Sequence, residues 1–299
     1  MANTSEIANL ISAVTELTQT VSDKMADIDQ TVDRAVAKIP AMFKEKIVTV
    51  DVNNGDNSNP NGPFKTLEAA IDSVPDGGSV RVTLPQTKEG FIYELDKIIN
   101  IGSRKVTILG GYSSMESKGK KATTIKPLKA LDARYNRTYL RGYFKGKAGG
   151  ELTFMFLRVM LPRMLPNTKE LEHSYSGSFI NGPIVFSHHN HTITEPGIFV
   201  ESNGSNEAPV FFLRSSARDM KGCIEQVNLS FVDVETTDRK PLFDLQYSSA
   251  MRFSAYTSKL FDSSGAGIEW SDLFSGLQYG LHGYATNLLA STALTKKKG

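Results

Sequence analysis

From Thr4 to Ile39 the chain holds neither glycine nor proline, and apolar residues return on a seven-residue pattern. With heptad position a at Thr4, Ile11, Thr18, Met25, Val32 and Ile39, position d falls on Ile7, Val14, Val21, Ile28 and Ala35. All of these are aliphatic, methionine or threonine. A lone helix with this seam would leave a stripe of β-branched side chains in water, so the pattern demands a partner, and sustained heptads are the mark of a coiled coil. Ile and Val at both a and d disfavour a two-stranded coil, and Leu10 and Leu17 at g widen the apolar face in the same sense. Thr18 in the seam acts as a mild register device. The pattern predicts a trimeric coil built from copies of this chain. The competing expectation is an amphipathic helix packed on its own domain. Pro40 is read as the end of the helix and Ala41–Lys46 as a short connector.

The next 65 residues change period. Ile47, Thr49 and Asp51 alternate with Val48, Val50 and Val52, which is a strand pattern. Asn53 to Gly62 is too rich in Asn, Gly and Asp to belong to an element. Pro63 and Phe64 then introduce a short helix, with Thr66 as N-cap, Leu67, Ala70, Ile71 and Val74 at helical spacing, and Pro75 as its stop. After the turn Asp76-Gly77-Gly78, strands resume at Val80, Val82 and Leu84.

This order resembles the opening of a right-handed parallel β-helix of the pectin-lyase-like superfamily, as used in bacteriophage tailspikes and tail fibres. The resemblance is carried by the polar loop after a first strand, the Pro-Phe-x-Thr-Leu-x-x-Ala-Ile helix from Pro63 to Ile71, Val74-Pro75-x-Gly-Gly, and the Val-x-Val strand. In that family the small helix covers the open end of the solenoid. An uncovered end would expose unpaired backbone groups and apolar core, which gives the cap a physical reason. The competing expectation is an ordinary β-α-β unit, but no long helical patterns alternate with the later strands. A trimeric coil leading into a β-helix is an arrangement of viral fibres and spikes.

Beyond Gly111 the apolar bursts stay short: Thr123–Ile125, Thr138–Phe144, Leu152–Val159, Phe179–Phe186, Ile198–Val200, Val210–Leu213, Ile224–Val234 and Leu242–Leu245. No exact repeat is legible. At the twenty-odd residues per turn usual for such solenoids, Val48 to Gln246 would hold about eight rungs. Family members that cleave polysaccharide are generally longer, which weighs against an enzyme. The last fifty residues turn to Ser, Gly and aromatics, with Tyr256, Phe261, Trp270, Phe274, Tyr279 and Tyr284 expected to seal the distal end or pack between protomers rather than stack on sugar.

Charge is uneven. The net charge is +2, yet Lys97 to Lys169 carries 16 Lys plus Arg against 3 Asp plus Glu, an excess of 13, leaving −11 on the rest. Such a block marks either an anionic partner or a solvated wall. The anion-binding candidates are Lys118, Lys120, Lys121, Arg137, Arg141, Lys145 and Lys147; no helix-turn-helix or aromatic spacing argues for nucleic acid. The one cysteine, Cys223, excludes an internal disulfide and reads as a small buried hydrophobe, in keeping with assembly in a reducing host cytoplasm. The most apolar run, Leu152 to Leu165, is too short to span a membrane and contains Arg158, Pro162 and Arg163.

Candidate chemistry is sparse. Glu225, Asp233, Glu235, Asp238 and Asp244 crowd the late rungs, and Asp233 and Glu235 share a strand face about 7 Å apart, within the range of inverting glycosidases. The apolar phase switches here, from Leu229 and Phe231 to Val232 and Val234, which implies a bend with the two acids outward. A solvated face is the simpler reading. His188, His189 and His191 form a motif whose His189-x-His191 pair, repeated about a threefold axis, could ligate iron; a surface loop is the simpler reading. No phosphate loop, nucleophile elbow or zinc spacing is present, and no cofactor is implied.

The expected fold is mainly β: residues 1–46 an α-helical trimeric coiled-coil stalk, 47–246 a short right-handed parallel β-helix with a capping helix near 66–74, and 247–299 a distal cap and trimer-contact region. The expected role is a structural virion component, a homotrimeric phage tail fibre or spike that docks on other tail or baseplate proteins and meets a host surface glycan, without membrane insertion. The alternatives are a tailspike depolymerase working through Asp233 and Glu235, and a fibre on the head or collar.

Overall fold

The fold is taken from a computed structural model, which describes residues 3–111, 121–170, 178–190, 195–202, 207–214, 226–236, 240–245, 251–262, 268–279, 281, 285 and 288–291. Helix α1 spans Thr4–Phe43, 40 residues or about 60 Å. It runs through Pro40, where the sequence pattern placed its end. Proline's fixed φ is a helical one and its loss is a single N–H, so the backbone continues for less than a turn before stopping. Thr18 Oγ1 donates to the Val14 carbonyl at 2.8 Å, so the hydroxyl in the seam is satisfied within its own helix.

Two residues separate α1 from β1 (Lys46–Thr49). The polar loop that follows is held by Asx turns: Asp51 Oδ1 accepts from the Asn53 and Asn54 amides, and Asp56 Oδ1 from that of Ser58. The Asn54 and Asn53 amides hold the Asp51 carboxyl below the usual carboxylate range, and the Ser58 hydroxyl, then its amide, do the same for Asp56. Helix α2, Leu67–Asp72, begins at Thr66, whose hydroxyl accepts from the Ala69 amide, and buries Leu67, Ala70 and Ile71. Its first amide also bonds the hydroxyl of Tyr93 at 2.9 Å.

From there the chain visits three sheets in turn and returns each time beside its previous pass. The first sheet gathers β1, β2 (Ser79–Thr83), β5 (Lys105–Leu109), β10 (Gly150–Met155), β14 (Ile184–His189), β17 (Gln226–Ser230), β20 (Met251–Tyr256) and β23 (Leu288–Ala290). The second holds β3 (Ile92–Leu95), β6 (Thr124–Pro127), β11 (Arg158–Leu161), β15 (Ile198–Val200), β18 (Val234–Thr236) and β21 (Leu260–Asp262). The third holds β4 (Ile98–Gly102), β9 (Tyr143–Gly146), β13 (Ser178–Asn181), β16 (Phe211–Arg214), β19 (Phe243–Asp244) and β22 (Phe274–Ser275). Every pairing within these three sheets is parallel, so the body is mainly β and β-helix-like. From β1 to β17 the first sheet has six strands, opening 26 to 45 residues apart, where about eight rungs of twenty-odd residues were expected. The passes are long because loops and a side sheet leave the coil. The ladders also run on through β20, β21, β22 and β23, inside the segment assigned to a distal cap. There Trp270 packs on Phe253 at 5.4 Å between ring centres.

The interior is aliphatic near α2 and aromatic further along. Phe144, Phe154, Phe179, Phe186, Phe212, Phe243 and Phe253 are each buried to 2% exposure or less. Consecutive rings meet mostly edge to face, as at Phe154–Phe186 (5.2 Å, 85°) and Phe243–Phe253 (5.8 Å, 66°). Such a column drives the stacking of passes that share no repeat. Where two passes approach closely, Gly182 has φ +99° and a Cβ there would overlap the Gly146 carbonyl.

After the first sheet each pass turns a corner at the same level. Leu109, Met155, His189, Ser230 and Tyr256 lie in register, and the residues that follow three of them, Phe156, Phe231 and Thr257, have φ of 50°, 56° and 49°. The bend inferred from the phase switch at Phe231 falls at this corner, between inward Leu229 and inward Val232. A β-branched residue is a poor occupant of that conformation. Thr257 is exposed, so Thr257→Asn is expected to stabilise the chain by about 0.5–1 kcal/mol, read as a raised denaturation midpoint at constant slope.

Between β6 and β9 the chain leaves the coil as an antiparallel hairpin, β7 (Lys129–Asp132) and β8 (Arg137–Leu140). β12 (Lys169–Glu170) adds to β8 in parallel. This three-stranded side sheet is pinned at its root by Thr138, whose hydroxyl accepts from the Leu165 amide at 2.8 Å and meets the Thr168 hydroxyl at 2.6 Å.

Candidate functional site

Along α1 the seam residues Ile7, Ile11, Val14, Val21, Met25, Ile28, Val32 and Ile39 are 47–62% exposed. Thr18 and Ala35 are exposed beside them, as are Leu10 and Leu17 at 65% and 64%. The body of the same chain does not cover this face, so packing on its own domain is not how the stripe is buried.

The late acids do not converge. Asp233 and Glu235 lie half-buried on the outer side of the second sheet, either side of inward Val234. The Asp233 carboxylate accepts from the Lys259 amide at 3.0 Å and its carbonyl from Gly197 and Ile198, so this residue clips three passes together. Next to Glu235 on the sheet stands Phe199, with the Arg158 guanidinium 4.4 Å from its ring centre and ion-paired to Glu195 at 2.8 Å. Asp244 is buried on the third sheet and accepts from Ser275 Oγ at 2.8 Å. Glu225 and Asp238 lie outside the described residues, as does Cys223.

The histidines depart from the loop reading. Ile184–His189 is a strand, so the side chains alternate: His189 faces out, half-buried, while His188 faces the core. His191 lies outside the described residues. His188 stands in the inward row of the first sheet, between Phe154 and Leu229 of the adjoining passes. Its Nε2 lies 2.9 Å from the Leu157 carbonyl, which also accepts from Asn190 Nδ2 at 2.6 Å, and its Nδ1 has no partner. Burial pushes the imidazole down to about 4, so it is neutral at pH 7, with the proton on Nε2. Among the described residues no group of His, Cys, Asp or Glu is arranged to hold a metal ion.

Part of the basic block is paired across passes. Arg104 meets Asp72, Lys126 meets Glu201, Arg141 meets Asp96, Lys147 meets Asp76 and Arg158 meets Glu195, at 3.4, 2.7, 3.6, 4.0 and 2.8 Å. All five carboxylates come from outside the block. Lys105 pairs with Glu151 inside it, and Arg163 is buried with its guanidinium on the carbonyls of Glu201 and Glu207. Coiling therefore brings acids of neighbouring passes beside some of the bases, and five of the local excess of 13 positive charges are matched by carboxylates from outside the block. Of the remaining candidates, Lys121 and Lys145 are exposed on the wall, Arg137 sits on the side sheet, and Lys118 and Lys120 lie outside the described residues. A hollow beside α2, lined by Asn57, Ser58, Phe64, Thr66, Glu68 and Asp72, has its polar wall engaged in loop bonds, such as Asn57 Oδ1 to the Lys65 and Thr66 amides.

No described helix is long and apolar enough to cross a membrane. No protein-family model matches the chain, and no curated protein or solved structure matches it either.

Proposed function

We propose that this chain is a homotrimeric virion component of the bacteriophage tail-fibre or tailspike type, with a coiled-coil stalk and a right-handed parallel β-helix body. The stalk and one end of the body dock on other tail proteins, and the body presents loops and side elements to a host surface glycan. The observation that carries the reading is the unpartnered seam of α1, whose Ile and Val at both a and d are half or more exposed in the single chain. The three parallel sheets and the α2 cap support the second part, because a rigid solenoid set on a stalk is a means of holding a binding surface away from its anchor.

Light scattering tests the first part: the mass in solution is expected to be three times the 32.8 kDa of one chain. A monomer or dimer persisting at micromolar concentration would sink the fibre reading. Antibody labelling of particles tests the second, with signal expected at the tail.

Against the depolymerase alternative stands the structural use of Asp233, whose carboxylate accepts from the Lys259 amide at 3.0 Å. Asp233→Asn and Glu235→Gln, singly or together, are expected to leave trimer mass and particle adsorption unchanged, with a stability cost of about 1 kcal/mol or less because the asparagine side chain keeps an oxygen for the Lys259 amide. Cleavage of a host glycan by the parent protein that either change abolishes would replace the adhesin with an enzyme.

A further inference from the structure

The side sheet carries an unusual tip. Between β7 and β8 the turn residues Arg134, Tyr135 and Asn136 project from the solenoid, shaped by Asp132, which accepts from the Arg134 amide at 3.1 Å, and by Asn136 at φ +49°. Asn136 Nδ2 ties the turn to the Asn167 carbonyl at 2.9 Å. The Tyr135 ring is 51% exposed, and two guanidiniums flank it, Arg134 at 5.2 Å and Arg137 at 5.6 Å from its centre. Among the described residues neither arginine has a carboxylate within ion-pair distance. Every other described arginine of the basic block, 104, 141, 158 and 163, is paired with a carboxylate or set on backbone carbonyls. The Arg137 Nε is shut away from water without an acceptor, so the arm holds this side chain in place at an energetic disadvantage.

We infer that the tip of this arm, Arg134, Tyr135 and Arg137, is a binding site for an acidic saccharide. A tyrosine ring offers the flat apolar face on which the C–H face of a sugar packs, and a guanidinium offers the planar fork that matches carboxylate or sulfate. Two such forks beside one ring, without a carboxylate among the described residues where Arg104, Arg141 and Arg158 of the same block each have one, form a site with room for an external anion. The hydrogen bonds to Asn167, Leu165 and Thr168 hold the hairpin before any ligand arrives, which lowers the ordering penalty of binding. The inference deepens the attachment role proposed above and is independent of oligomeric state.

The test uses the full chain on immobilised polygalacturonate, dextran sulfate and uncharged dextran, with single-stranded DNA as a second polyanion. Retention on the two acidic polysaccharides and none on dextran is expected. Arg134→Gln with Arg137→Gln is expected to weaken it about tenfold or more, and Tyr135→Ala to weaken it at unchanged net charge. A control with the same charge loss elsewhere, Lys88→Gln with Lys97→Gln, both exposed, is expected to bind like the parent. Equal weakening in the control, no retention of the parent, equal retention on DNA, or an arm variant that keeps the parent's melting temperature and binding would each overturn the site. Mass by light scattering on the same preparations separates this outcome from failure of the trimer: a monomer that still loses binding through Arg134 and Arg137 leaves the arm site standing.

Discussion

Replacing Val21 and Ile28 with aspartate is expected to convert the protein from a particle of three chains to single 32.8 kDa chains. Both residues occupy d positions, and both are at least half exposed in the isolated chain, so in an assembled coil they become buried against their copies. Each substitution would place three carboxylates in one layer of a narrow apolar seam, where burial and mutual repulsion both oppose ionisation. The solenoid ladders do not involve α1, so each chain's body is expected to keep its β-rich circular dichroism while the mass falls threefold. A double variant that remains trimeric would show that the stalk does not hold the assembly. Val21→Leu with Ile28→Leu is the complementary variant, preserving an apolar seam and the association.

Acidification between pH 6.5 and about 4 is expected to destabilise the body through His188 by about 3 kcal/mol. The folded imidazole titrates near 4, against 6.5 when unfolded, because burial disfavours its charged form. In that interval the unfolded chain binds a proton that the folded chain does not. Stability from this group is therefore complete above about 6.5, falls as pH drops, and levels off below about 4. The hydrogen bond to Leu157 does not rescue the cation, since Nδ1, where the second proton must go, has no acceptor. Asp76, held low mainly by the Ser103 amide, loses its contribution only below the ordinary carboxylate value of 3.8, a separate window. His188→Leu is expected to flatten the urea midpoint between pH 6.5 and 4 while costing little at pH 7, because Asn190 still donates to the Leu157 carbonyl. An unchanged acid slope in that variant would assign the loss to other groups.

His188 also shows where sequence patterning stops. Period-2 alternation tells inside from outside only once a strand is recognised, and Ser187, His188 and His189 read as polar loop because no apolar residue marks the inward phase. The signal that was available is Ile184 and Phe186 at the same parity, which extends the inward row to His188. The α2 cap was legible to within two residues, since Thr66 and the spacing of Leu67, Ala70 and Ile71 act over a single helical turn. The side sheet was not: Thr138–Phe144 reads as one apolar burst, while the chain breaks it between β8 and β9, in two different sheets.

What the sequence determined by itself is whatever acts over a few residues: the seam of α1, the Asx turns of the polar loop, the N-cap of α2 and the alternation of core strands. Each depends on side chains a turn or a pleat apart, so spacing alone specifies it. Tertiary structure alone decided which passes lie side by side. Partners there are some 25 to 45 residues apart with no repeat to index them, and burial of the phenylalanine column, rather than any local preference, selects the register. That register sets Lys147 beside Asp76 and Arg158 beside Glu195, offsetting part of a charge block that looks unopposed along the chain, while Arg134 and Arg137, on a hairpin outside the stack, have no carboxylate partner among the described residues.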